Sequence, residues 1–141
     1  MDVNYTLVFV ATIVQFVLGA LWYSPLLFGK MWMQIMECTN LSKEELKRMQ
    51  KEMMPFYTLQ FFLAFITTFT LAHFLAVGKI ADPSYSPYMV AFWIWFGFLA
   101  PTGISSVVWA NTKKGYWIKQ IAIMISMQFI GLMVATGILS M

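Results

Sequence analysis

The chain has 141 residues, room for one domain, and 60% of them are hydrophobic while only 11% are charged; a soluble domain carries roughly 25% charged residues. With a mean hydropathy of +0.72 and 18% aromatic residues, the composition excludes an ordinary water-facing surface and puts the chain in lipid. The formal net charge is +3, and where the charges fall says more than their sum.

A bilayer crossing takes about 20 apolar residues. The first such run is Tyr5 to Tyr23. It follows the acidic leader Met1-Asp2-Val3-Asn4 and ends in Trp22-Tyr23-Ser24-Pro25. A signal peptide has a basic start and a small-residue cleavage site, so this segment is expected to stay attached. The loop 24–55 comes next. In it Ser42 and Glu45 have the capping-box spacing, which predicts a short amphipathic helix from Ser42 to about Met53. Leu46, Met49 and Met53 share its buried side, and Lys47, Arg48 and Lys51 lie elsewhere.

The second span, 56–77, begins just after Pro55. Gln60, Ala64, Thr68, Ala72 and Ala76 recur along it every four residues, as do Ala11, Gln15 and Gly19 on the first span and Gly131 with Ala135 on the last. Small residues at this spacing let helices approach closely; the partner is a helix of the same chain or of another copy. Leu71, off this stripe, is expected to face lipid. The third span is 88–109, where Pro101-Thr102-Gly103 kinks or loosens the helix because proline removes a backbone bond. The fourth is 117–139. None of the four contains an acidic residue. Continuous apolar runs favour helices over a barrel, and a helix satisfies its own backbone in hydrocarbon. A soluble bundle would need polar helix faces that are missing. The expected fold is therefore all-α, one domain over 1–141: four transmembrane helices with a short amphipathic helix in a cytoplasmic loop.

Lysine and arginine placement sets the orientation. Lys30, Lys43, Lys47, Arg48, Lys51, Lys113, Lys114 and Lys119 fall in or beside two loops, and only Lys79 falls on the other side. The basic loops are expected in the cytoplasm of a cell-membrane protein with both termini outside. Anionic lipid headgroups account for them; nucleic acid is not required.

The run Gly19-Ala20-Leu21-Trp22-Tyr23-Ser24-Pro25-Leu26-Leu27-Phe28-Gly29-Lys30-Met31-Trp32 resembles the opening motif of the domain of unknown function 1761 family. Trp95-Phe96-Gly97-Phe98 with Pro101-Thr102, and the ending from Gly131 to Leu139, are similar to its later motifs. The resemblance spans nearly the whole chain. It implies a small four-span membrane protein and carries no activity with it.

Chemistry-bearing residues are sparse. With one histidine, one cysteine and no carboxylate in a span, there is no nucleophile with a partnered base and no buried acid. No catalytic residue, cofactor or metal is expected, and the chain reads as non-enzymatic. Met31, Met33, Met36 and Cys38 form a soft-ligand cluster of the kind that suits Cu(I), and methionine is also an ordinary gap-filler. Gln15, Gln60 and Gln128 are candidates for a polar pocket or permeation path, or for interhelical hydrogen-bonding glue. His73 is read as a hydrogen-bonded side chain near the outer interface. Trp22, Tyr23, Phe28, Trp32, Trp109 and Trp117 are candidates for an aromatic collar at the cytoplasmic interface, either structural anchors or a lipid site. Two functional classes follow: a small channel or transporter working as a homo-oligomer, or a membrane scaffold or lipid-binding module using the collar and the basic loop.

Overall fold

A computed structural model describes residues 3–141; the acidic leader residue Asp2 lies outside the described residues. All regular structure among them is helical. Helix α1 (Tyr5–Trp22) starts where the Asn4 side chain accepts hydrogen bonds from the backbone N–H groups of Thr6 and Leu7, filling two of the donors every helix start leaves open. Helix α2 (Gly29–Ile35) is a short turn of chain beside the end of α1. Helix α3 (Lys43–Ala81) is followed by α4 (Pro87–Ile94), a π-helical turn (Trp95–Leu99) and α5 (Ala100–Trp109). A 3-10 turn (Lys114–Tyr116) then leads into α6 (Trp117–Leu139). Four helical stretches are long and apolar enough to cross a membrane: α1, α3, α4 through α5, and α6 with its leading turn.

The expected amphipathic helix does not exist as a separate element. Ser42 caps as predicted, accepting from the Glu45 N–H at 3.2 Å while Glu45 accepts from the Ser42 N–H at 2.8 Å. The helix it starts runs without a break through Pro55 to Ala81, 39 residues in all, or about 58 Å at 1.5 Å per residue. A proline inside a helix removes one backbone bond. Here the loss falls in a stretch whose side chains are all exposed, from Gln50 to Gln60, so no packed neighbour is disturbed. Leu46 and Met49 are half-buried, but Met53 is exposed, so the predicted buried side is only partly formed.

Proline acts differently in the third span. Pro101 has no N–H to give, and just before it the Ala100 N–H reaches back five residues to the Trp95 carbonyl, the mark of a π-turn. The Thr102 hydroxyl bonds back to the carbonyls of Phe98 and Leu99. Trp95 then anchors this stretch on α6: its indole N–H donates to the Ile125 carbonyl at 3.1 Å, and its ring meets Phe129 edge-on at 4.9 Å.

Helix α6 lies at the centre, packing on α1, on α4 and α5, and more lightly on α3. The core joins Ala11, Leu71, Ala91, Leu132 and Ala135. Leu71 is 2% exposed, which corrects the expectation that it faces outward. Helix α3 packs on α1 with one flank and on α4 with the other, so its buried arc takes in Thr68, Leu71 and Ala72, wider than a stripe of every fourth residue. That stripe is nonetheless a helix contact within the chain: Thr68 and Ala72 are buried, Ala64 and Ala76 half-buried.

Candidate functional site

At the end of the bundle that carries the basic loops, α1, α3 and α6 part around a cleft of about 680 Å³. Phe16 of α1, in the lining, meets Phe61 of α3 edge-on at 5.5 Å. All three glutamines singled out in the sequence line this cleft: Gln15 from α1, Gln60 from α3 and Gln128 from α6. Leu132 lies at its inner end, and Tyr23, Trp32 and Tyr57 lie towards its mouth.

The glutamines are not equivalent. The Gln15 Nε2 donates to the Thr68 hydroxyl at 2.7 Å, and that hydroxyl donates to the Ala64 carbonyl at 2.8 Å. Gln15 is therefore interhelical glue through its nitrogen, while its oxygen points towards Gly131, 3.6 Å from where a β-carbon there would sit. Gln60 is exposed along the cleft wall. The Gln128 Oε1 is buried with no hydrogen-bond partner among the described residues; it lies 3.2 Å from where a β-carbon on Gly103 would be. An unpaired buried acceptor of this kind costs about 1–3 kcal/mol. No charged side chain is among the residues that line the cleft.

The mouth is built by the motif that carries the family resemblance. Ser24 and Pro25 end α1, and the chain turns back so that the Phe28 N–H reaches the Trp22 carbonyl and the Gly29 N–H reaches the Ser24 carbonyl. A β-carbon on Gly29 would stand 2.5 Å from the Tyr23 carbonyl oxygen and 2.5 Å from the Ser24 carbonyl carbon. Both are backbone atoms, so only glycine allows α2 to start against the end of α1. That placement brings Trp32 edge-on to Tyr23, centroids 4.9 Å apart.

The six aromatic candidates make different contacts. Tyr23 and Trp32 line the cleft. Trp22 and Phe28 pair with centroids 4.7 Å apart, and the Trp22 indole N–H donates to the Ile123 carbonyl on α6 at 3.1 Å, making Trp22 a tie between helices. Trp117 donates to the Thr112 carbonyl close by in sequence. Trp109 points away from the chain, 84% exposed. Trp95, missed as a tie from the sequence, uses a carbonyl two residues beyond the one Trp22 uses; no pattern in the chain announces which indole finds a carbonyl.

The two basic loops are joined. Lys113 pairs with Glu37, and the hydrogen bond to that carboxylate raises the Lys113 ammonium above its ordinary value. Glu37 closes α2 in a left-handed conformation (φ 58°). Its own N–H bonds back to the Gln34 carbonyl and that of Cys38 to the Met33 carbonyl, the Schellman pattern with glutamate where glycine is usual. Cys38 donates its thiol to the Met36 carbonyl at 3.3 Å. The described residues hold no group of three His, Cys, Asp or Glu side chains placed to take a metal ion. Near the other end of the bundle, the His73 Nδ1 lies 2.8 Å from the Phe69 carbonyl, and its ring packs 4.3 Å from that of Phe69.

Fold and cleft together define a small all-helical protein with four helices long and apolar enough to cross a membrane and an uncharged, mostly apolar groove among three of them, into which three glutamines reach. The family model described as protein of unknown function (DUF1761) matches residues 6–140, and the chain belongs to that family. No curated protein and no solved structure matches it.

Proposed function

We propose that the chain is an integral membrane protein that binds an amphiphilic lipid in the cleft between α1, α3 and α6, with its basic loops in the cytoplasm and both termini outside. The observation that carries this reading is the meeting of Gln15, Gln60 and Gln128, from three helices, in one groove with aromatic side chains towards its mouth. Ligand sites are typically concave, mostly apolar, and furnished with a few convergent polar groups. The eight basic residues of the two loops against one on the other side support the orientation.

A dead-ended ligand cleft is favoured over a permeation path by what lies beyond its inner end. There Val8, Ala11, Leu71, Leu132 and Ala135 pack with at most 2% exposure, a plug of apolar side chains across the line a path would take. The test is native mass spectrometry of the protein released from gentle detergent, parent against Ala20→Trp. Ala20 is exposed and lines the cleft, so an indole there fills the space without disturbing a packed contact. The parent is expected to carry a bound lipid and the variant to lose it, while the two proteins stripped of lipid unfold at the same temperature. Equal lipid on both, or none on the parent, overturns the reading.

A further inference from the structure

The polar groups in the cleft say what kind of head it takes. No charged side chain lines it, so an ionised head would lose its water against no counter-charge, the arrangement least tolerated in a low-dielectric site. The polar side chains of the lining are the three glutamine amides, the Thr67, Tyr23 and Tyr57 hydroxyls and the Trp32 indole, and the amides are the ones that reach in from three helices. Gln15 has already given its nitrogen to Thr68, and its remaining oxygen faces the Gly131 side. The Gln128 oxygen is buried without a donor. Gln128 and Gly131 are three residues apart on α6 and so neighbours on its surface, which sets the two amides about one helical turn apart. The missing partner is thus a hydrogen-bond donor.

We infer that the cleft selects a single-chain lipid alcohol, a neutral amphiphile whose hydroxyl donates to the Gln128 amide oxygen. The inference rests on the cleft being a lipid site. Rotation about the terminal bond of the glutamine side chain is soft, so its oxygen can swing from Gly103 to meet a hydroxyl in the cleft. The hydroxyl's own oxygen then accepts from an amide nitrogen, since a hydroxyl both donates and accepts. A volume of about 680 Å³ sits within the range of roughly 300–1,000 Å³ that holds one small molecule, which favours one chain over two. The tail would lie along Phe16, Leu63 and Met127, apolar members of the same lining.

The experiment uses the whole chain in nanodiscs of uncharged lipid. A photoreactive long-chain alcohol and the fatty acid of the same chain are compared at pH 8, with labelled peptides mapped by mass spectrometry. The alcohol is expected to label peptides from α1 and α6 at the cleft, with the acid at least about tenfold weaker. Unlabelled alcohol should compete, and its methyl ether, which keeps the acceptor and loses the donor, should compete about tenfold less well. Gln128→Leu should lower alcohol labelling by a similar factor without lowering the melting temperature of the unliganded protein, since the lost oxygen had no partner. The ether control needs no variant and stands if that one fails to fold. Equal labelling by acid and alcohol at the cleft, or equal competition by the ether, overturns the hydroxyl inference and leaves the lipid cleft standing. Labelling by neither at the cleft overturns both.

Discussion

Near the chain termini α1, α3 and α6 meet through Val8, Ala11, Thr12, Thr68, Leu71, Leu132, Ala135 and Thr136, all at most 2% exposed; towards the basic loops the same three helices part around the cleft. Both regions contain polar side chains, and the difference lies in how each satisfies itself. Thr12, Thr68 and Thr136 each donate to the carbonyl four residues back on their own helix, at 2.8 Å. A threonine can do this because its hydroxyl is one bond from Cβ and reaches the preceding turn. It therefore needs nothing from a neighbouring helix and can be buried in a tight contact. A glutamine amide is carried farther from the backbone and needs a partner elsewhere. Gln15 finds one in Thr68, and the Gln128 oxygen does not. The junction whose polar side chains satisfy themselves on their own helices closes, and the one that holds the three glutamines stays open.

The contrast is sharpest for large-to-small changes. Leu71→Ala in the closed region should cost about 2–5 kcal/mol, the usual range for emptying a packed core site. Leu63→Ala on the cleft wall, where that leucine is 48% exposed, should cost well under about 1 kcal/mol. Thermal unfolding of the two variants in one detergent measures both, and equal losses would erase the distinction between the regions.

Adding bulk probes the same contrast from the other side. Ala135→Leu places three extra carbons in the core, at a residue with no exposed surface, and overpacking typically costs about 1–3 kcal/mol. Ala20→Leu adds the same carbons to the open cleft and should be nearly neutral. If Ala135→Leu unfolds at the parent's temperature, the closed region has slack that its burial does not reveal.

The smallest effect is expected beyond the bundle, in the exposed first turns of α3. Ser42→Ala removes the cap and should cost that end about 0.5–2 kcal/mol of local helix stability, leaving both regions of the junction untouched. The same turn should respond to acid. The Ser42 backbone N–H, and then its hydroxyl, hold the Glu45 carboxyl below its ordinary value. A lowered carboxylate contributes stability above the unfolded value, near about 4.3, and that stability is lost as pH falls through the folded value. Amide chemical shifts of Ser42 to Leu46 should therefore leave their helical positions below about pH 4, while those of Thr68 to Ala72 stay unchanged. Simultaneous change in both segments would mean that the extension and the bundle unfold together.

Much of this was legible in the chain. The four apolar stretches, the capping box at Ser42 and the disturbance at Pro101 follow from local rules: run length, a three-residue spacing, a missing N–H. The same rules misled at Pro55, because whether a proline ends a helix depends on what surrounds the carbonyl it leaves unpaired. They misled at Leu71 because a stripe of small residues marks one helix contact and is silent about a second on the other flank. The three glutamines could be chosen as a set from their position inside apolar runs. Nothing in their spacing said that Gln15 would be satisfied and the Gln128 oxygen would not.

The sequence by itself determined the helical character of the protein, its four apolar stretches and the uneven distribution of its basic residues, because these depend on neighbours a few positions apart. Only the tertiary structure decided that Gly29 must be glycine, that Trp22 and Trp95 are ties to α6, and that the polar residues of three helices share one cleft. These depend on the rotation of each helix about its axis and on its distance from the next, which are set by the packing of side chains from all the helices at once.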